Sequence, residues 1–381
     1  MFATLKILRR TLIVVGLLIL VFVILVAVTP QGRAGVTTAL LIPQLLPGIP
    51  IKPQEWVVGD PTRREVTYPL ASGSGVADLY VPASGETHSG LLLFLGVNPA
   101  GRDDPRVVGL ASGFARAGIV VMIPWSDTMT QRRIDQGEVD NLVRAFQYLR
   151  TLDVVDPDRV GMGGFCVGAS LSAVAAQDPR IRDDVRFVNF FGGYYDVQDL
   201  IKSVVTRNRF YEESAESWNP DRLSVEVVTT HLIEAVSDPK ERMALIERFV
   251  NKSSETDIEG LSTEGRAVYR LLDGPSLEEV DGLLGQLSAK ALENMRLISP
   301  RMNIDNLKAR VLIMHDREDA LVPAEESRRL AEALGDNRNT YYTEFSLFQH
   351  LDPTRPVSPL VYAREAFKFF LHMYNIIREL S

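Results

Sequence analysis

The chain has 381 residues, 46% of them hydrophobic and 24% charged, the proportions of an ordinary folded protein with a sizeable core. A formal charge of −8 and an isoelectric point near 5.3 argue against nucleic acid as a partner, because phosphate binding needs a basic face. The single cysteine, Cys166, excludes an intrachain disulfide and leaves the redox compartment open.

At the N-terminus, Lys6, Arg9 and Arg10 precede an uncharged apolar run over 12–28. As a helix it would be roughly 26 Å long, enough to cross a bilayer. The run exceeds an ordinary signal-peptide core and ends at Pro30, a poor cleavage context, so it reads as an uncleaved anchor. The basic flank then places the N-terminus in the cytoplasm and the remainder outside it. The expected organisation is a cytoplasmic basic tail over 1–10, a transmembrane anchor over 11–29 and a Pro-rich juxtamembrane connector over 30–58. Pro43, Pro47 and Pro50 bar a second spanning helix there, leaving a segment that lies on the membrane surface, covers part of the catalytic domain, or merely connects.

From residue 59 the pattern alternates strand and helix, which implies a mostly parallel sheet covered on both faces. Strands are expected at 65–68 (EVTY) and 76–81 (VADLYV) around a glycine turn, then at 91–95 (LLLFL) and 119–123 (IVVMI), the last two reading as doubly buried. Further strands fall at 159–163, 184–191, 309–314 and 340–345. Helices are expected over 105–117, 138–152 and 169–177, and a C-terminal one over 359–379. The stretch 197–299 breaks the rhythm with helical patterns at 225–235, 239–250, 263–272 and 276–297. It reads as a cap inserted between the two parts of the core, 59–196 and 300–381, acting as a lid or as an interaction surface.

The segment Gly164-Phe165-Cys166-Val167-Gly168 lies between a buried strand and a helix. G-x-C-x-G in that setting meets the requirements of a nucleophile elbow, with cysteine in the place of serine. The glycines Gly164 and Gly168 let strand and helix backbones approach, and the helix N-terminus favours thiolate over thiol at Cys166. A triad on such a sheet needs an acid and then a histidine later in the chain. His315-Asp316-Arg317-Glu318-Asp319 follows the strand at 309–314, and Phe348-Gln349-His350 follows the last strand. Of the five histidines, 88, 231, 315, 350 and 372, only His350 has the right order and loop. Asp319 is the preferred acid, with Asp316, Glu318 and Asp196 as competitors. The oxyanion donors would be the backbone N–H groups of Val167 and of Val97, in the loop after LLLFL.

The motifs GFCVG at 164–168, HDREDALVP at 315–323 and FQH at 348–350 resemble those of the α/β-hydrolase superfamily, and within it the dienelactone hydrolase family. The resemblance covers roughly 60–200 and 300–381. It implies an α/β-hydrolase fold with a sheet of about eight strands and a Cys166–Asp319–His350 triad. It implies hydrolysis of a carboxylic ester, lactone or thioester through a covalent acyl-enzyme, with a small-molecule acyl substrate and no metal or organic cofactor. The anchor and the large insertion depart from the family pattern. No arginine obviously matches those that hold a dienelactone carboxylate, Arg102 and Arg132 being the nearest candidates. An acyltransferase or peptidase on the same triad, and a non-catalytic scaffold binding partners through the insertion, are the competing readings.

Overall fold

The computed structural model describes residues 13–17, 21, 24–26, 28–46, 49–98, 100–252, 258–335, 339–348 and 355–381. Its centre is an eight-stranded sheet. The strands are β1 (Thr62–Pro69), β2 (Ser74–Val81), β3 (His88–Phe94), β4 (Ile119–Pro124), β5 (Val155–Phe165), β6 (Phe187–Phe191), β9 (Arg310–Asp316) and β10 (Thr340–Phe345). Their spatial order is β1-β2-β4-β3-β5-β6-β9-β10. β1 pairs antiparallel with β2, and β2 with β4; every other pairing is parallel. The register sets Phe94 beside Gly164 and Phe165 beside Phe191, so the C-terminal ends of β3, β5 and β6 reach one common edge.

Helices cover both faces. On one lie α3 (Gly137–Arg150) and α4 (Val167–Ala175), whose side chains join a core with Leu92, Met162 and Val188. On the other lie α2 (Pro105–Arg116) and α12 (Pro359–Leu380), packed over Leu91, Leu93, Phe191 and Met314. β3 and β4 are buried along their whole length, which explains why their sequences are continuous apolar runs without alternation.

The N-terminal reading needs correction. Among the described residues no helix is long and apolar enough to cross a membrane, which overturns the transmembrane anchor at 11–29 and the extracytoplasmic placement derived from it. The physical reason is visible at Thr29. Its side chain accepts the N–H of Gly32 at 3.1 Å and caps a separate helix, α1 (Pro30–Leu45), so the apolar run is not continued. A seventeen-residue run lies at the lower limit of what spans a bilayer even when unbroken. The basic tail, with Lys6, Arg9 and Arg10, lies outside the described residues.

The expected connector is in large part this helix. α1 buries Ala34, Thr38 and Leu41, spaced by four and three on one face, against α2 and α12. Pro43 sits in its last turn, where it removes one intrahelical hydrogen bond close to the helix end. The Lys52 ammonium crosses back to donate to the carbonyls of Pro43 at 2.5 Å and Leu46 at 3.1 Å, satisfying the C-terminal end.

The insertion begins with α5 (Val197–Thr206) and a hairpin of β7 (Asn208–Tyr211) and β8 (Ser214–Ser217). Five helices follow: α6 (Arg222–Ala235), α7 (Pro239–Phe249), α8 (Thr263–Leu272), α9 (Leu277–Leu284) and α10 (Ala289–Leu297). The single helix expected over 276–297 is two, because Ser288 caps α10 by accepting the N–H of Ala291. A final helix of the core, α11 (Ala324–Leu334), links β9 to β10.

Candidate active site

Cys166 occupies the turn between β5 and α4 with φ 53° and ψ −131°, a conformation that L-residues adopt at a cost of about 1–3 kcal/mol. The backbone holds it there. The Cys166 N–H donates to the Phe191 carbonyl at 2.9 Å, and its carbonyl accepts from Ala169 at 3.0 Å. The surrounding glycines leave no alternative. A Cβ on Gly164 would lie 2.4 Å from the Gly168 carbonyl group, and one on Gly168 would lie 2.3 Å from the Phe94 oxygen. The thiol is half-buried and stands at the N-terminus of α4.

The loop after β3 is locked onto this turn. Gly96 has φ +70°, and a Cβ there would meet the Gly168 nitrogen at 2.6 Å and the Phe165 oxygen at 2.8 Å. Val97 follows, packed at the margin of the core. Asn98 fixes the remainder of the loop, its Oδ1 accepting from Ala100 at 3.2 Å and its Nδ2 donating to the Gly101 carbonyl at 3.3 Å. Val167, as the first residue of α4, has no intrahelical acceptor for its N–H. The two N–H groups assigned to an oxyanion hole thus belong to segments in van der Waals contact.

The acid candidates separate clearly. Asp319 is 1% exposed; its Oδ1 accepts the N–H groups of Leu321 at 2.7 Å and Val322 at 3.2 Å, and its Oδ2 lies 3.5 Å from His315 Nε2. Asp316 is fully buried and acts as a clamp. Its Oδ2 accepts the Phe348 N–H at 2.7 Å and its Oδ1 pairs with Arg355 at 3.0 Å, so it ties down the chain on both sides of residues 349–354. Burial pushes its carboxyl above the ordinary range, against the pull of these partners. Asp196 caps α5 through Gln198 and pairs with Arg301 at 3.1 Å. Glu318 is exposed and lies 3.8 Å from Arg209.

His350 lies outside the described residues. The other four histidines have fixed surroundings. His315 Nδ1 meets Ser327 at 2.6 Å and its Nε2 meets the Val322 carbonyl at 2.9 Å. His372 bridges Thr343 at 3.1 Å and Asn189 at 3.0 Å, and burial lowers its pKa to about 3. His88 contacts Ser84, and His231 belongs to α6. Neither arginine considered for a substrate carboxylate is available for one. Arg102 is held by Asp78 at 2.6 Å and Glu65 at 2.7 Å, and Arg132 by Glu226 of the insertion at 2.9 Å.

Several positioning groups escaped the sequence reading. The insertion reaches the acid loop through Trp218, whose indole N–H donates to the Asp319 carbonyl at 2.9 Å, and through Asp221, whose N–H donates to Ala320 at 2.6 Å. Trp218 is one of three tryptophans and sits in a polar stretch, a signal that could have singled it out. Glu326 of α11 is buried; its Oε2 accepts the N–H groups of Tyr195 at 2.9 Å and Asp196 at 3.1 Å, fixing the turn after β6. Burial pushes its pKa up to about 8 despite the neighbouring Arg329. Among the described residues no cluster of side chains could hold a metal ion.

Under this edge, between the sheet and α1, α2 and α12, lies a cavity of about 510 Å³. Leucines of β3, Phe191, Met314 and Phe369 line it, and Gly163 and Asn189 form part of its floor.

No family model matches the sequence, and no curated protein matches it. Solved structures do. An acylaminoacyl peptidase in complex with a chloromethyl ketone superposes with a TM-score of 0.50 at 14% identity, over 83% of this chain and 42% of the peptidase. An acylaminoacyl peptidase of Pyrococcus horikoshii gives 0.49 at 14% identity, over 85% and 43%. A hyperthermophilic esterase of the archaeon Pyrobaculum calidifontis gives 0.46 at 12% identity, over 91% and 92%. The chain spans about two-fifths of the length of the peptidases it matches. Together with the strand order and the turn at Cys166, the peptidase superposition shows an α/β-hydrolase fold.

Proposed function

We propose that the protein is a hydrolase of carboxylic esters, lactones or thioesters in which Cys166 is the nucleophile, His350 the base and Asp319 the acid that orients it. One observation carries the reading: a non-glycine residue with a nucleophilic side chain is held at φ 53° and ψ −131° between a central strand and a helix N-terminus. Such strain persists where function requires it.

The chemistry follows from the arrangement. His350 takes the thiol proton, and the sulfur forms a bond to the substrate carbonyl carbon while the carbonyl π pair moves to oxygen. The N–H groups of Val167 and Val97 stabilise that oxygen. Collapse breaks the bond to the leaving group, which receives the proton from His350. Water then attacks the thioester, giving one proton to His350; the C–S bond breaks and the thiolate is reprotonated. Asp319 is favoured over Asp196 because Asp196 is committed to a helix cap and to Arg301. With Arg102 and Arg132 paired, no support remains for an anionic dienelactone as substrate. In this reading residues 59–196 and 300–381 form the catalytic core, 197–299 form the cap and 30–58 form a cover. The test is turnover of aryl esters and lactones by Cys166→Ala. A loss of at least about 10³-fold is expected, and undiminished turnover overturns the proposal.

A further inference from the structure

We infer that the cavity beneath the catalytic edge binds the hydrocarbon chain of the substrate's acyl group, so that the substrates are medium- to long-chain acyl esters or thioesters. The inference rests on the function proposed above and specifies its substrate.

One glycine of β5 forms part of the cavity floor. Alternation along that strand sends Gly161, Gly163 and Phe165 to the face covered by α2 and α12. The space over Gly161 is occupied by Phe187, whose ring carbon would lie 2.1 Å from an added Cβ. Over Gly163 such a Cβ would meet only ordinary contacts, the nearest at 3.5 Å, and Gly163 lines the cavity. At about 510 Å³ the void is far larger than the gaps usual in a packed core and falls within the range of about 300–1,000 Å³ typical of ligand sites.

Its chemistry selects the occupant. The walls are leucine, phenylalanine and methionine side chains, and the charged groups Lys52, Asp104 and Arg106 are already satisfied by partners within the protein. An apolar chain suits such walls; an anionic or sugar-like group buried among them does not. Its position selects the orientation. Asn98, Phe165 and Phe348 line the cavity, and each adjoins the proposed machinery: Asn98 follows Val97, Phe165 precedes Cys166, and Phe348 lies two residues before His350. The rim of the chamber thus meets the elbow at Phe165, the residue before Cys166.

The experiment measures kcat/KM for p-nitrophenyl esters from acetate to dodecanoate, and in parallel the displacement of a dansyl-labelled fatty acid by dodecanoate. The inference expects kcat/KM to rise by about fourfold per methylene until the cavity is full, and dodecanoate to displace the probe. Gly109→Trp places an indole at the cavity wall in mid-α2, where an added Cβ meets no atom within 4 Å. It should shift the preferred chain length downward and weaken dodecanoate binding at least tenfold. A profile that is flat or falls from acetate onward, with Cys166 still required, overturns the inference and leaves the hydrolase proposal standing. Failure of dodecanoate to displace the probe from folded wild-type protein overturns it independently of any variant. Turnover that survives Cys166→Ala instead removes the underlying function.

Discussion

The Trp218 indole N–H donates to the Asp319 main-chain carbonyl at 2.9 Å, joining the insertion to the loop that carries the proposed acid. The hairpin β7–β8 ends one residue before this contact, and Asp221 and Ser224 bond the next two carbonyls of the same loop. The insertion is therefore bonded to three successive carbonyls of that loop, through one backbone N–H and two side chains. Trp218→Phe keeps most of the packing and removes one hydrogen bond. It should lower stability in urea by about 1 kcal/mol, and kcat for an aryl ester should fall about tenfold while KM stays nearly constant.

Asp319 and Asp196 can be told apart by isosteric substitution. Asp319→Asn should cut kcat/KM by about 10⁴-fold, because an amide favours the wrong imidazole tautomer. Asp196→Asn should cost less than about tenfold, since asparagine caps a helix as well as aspartate does. Steady-state kinetics on one aryl ester decide the matter, and the reverse ranking would move the acid to the end of β6.

The glycine lock at the elbow is open to a stability test. Gly168→Ala would push a methyl group to within 2.3 Å of the Phe94 oxygen, so β3 and α4 must separate. Equilibrium unfolding should show a loss of about 3 kcal/mol. Iodoacetamide should also label Cys166 more slowly in the variant, as the thiol leaves the helix N-terminus.

His372 predicts an acid limb in the stability profile. Its folded-state pKa is lowered from 6.5 to about 3 by burial, with Arg310 adding to the effect. The neutral ring's contribution is thus complete above pH 6.5 and is lost as pH falls toward 3, on the order of 4 kcal/mol in all. His372→Gln retains hydrogen bonding to Thr343 and Asn189 without titrating. Its melting temperature should change less than that of the wild type between pH 7 and pH 4.

Much of this was legible in the chain itself. β3 and β4 stand out as unbroken apolar runs, and the glycines of GFCVG mark a close crossing of strand and helix. Elsewhere local patterns misled. α1 carries a helical stripe in Ala34, Thr38 and Leu41, but Pro43 and Pro47 made the region look like a connector. The apolar stretch before it has the length of a short membrane span, but length and hydropathy alone do not reveal where a helix will be capped. The hairpin Asn208–Tyr211 and Ser214–Ser217 has no apolar alternation, because its first strand is only half-buried and its second exposed, and the two are held by Arg209 and Glu216. The sequence favours Asp319 as the acid but leaves Asp316 and Glu318 as competitors, since the three share one loop. Only the burial of two of them, and the clamp Asp316 makes on Phe348 and Arg355, distinguishes their roles.

The packing of α1 on α12 brings together the first long helix of the described chain and its last. Every strand pairing in the sheet is complete without α1, which is held by a modest buried stripe of Ala34, Thr38 and Leu41. Such an element opens at lower free energy than the sheet beneath it. Its amides, exchanging with deuterium ahead of those in β3 and β5, would report a doorway that swings without disturbing the frame.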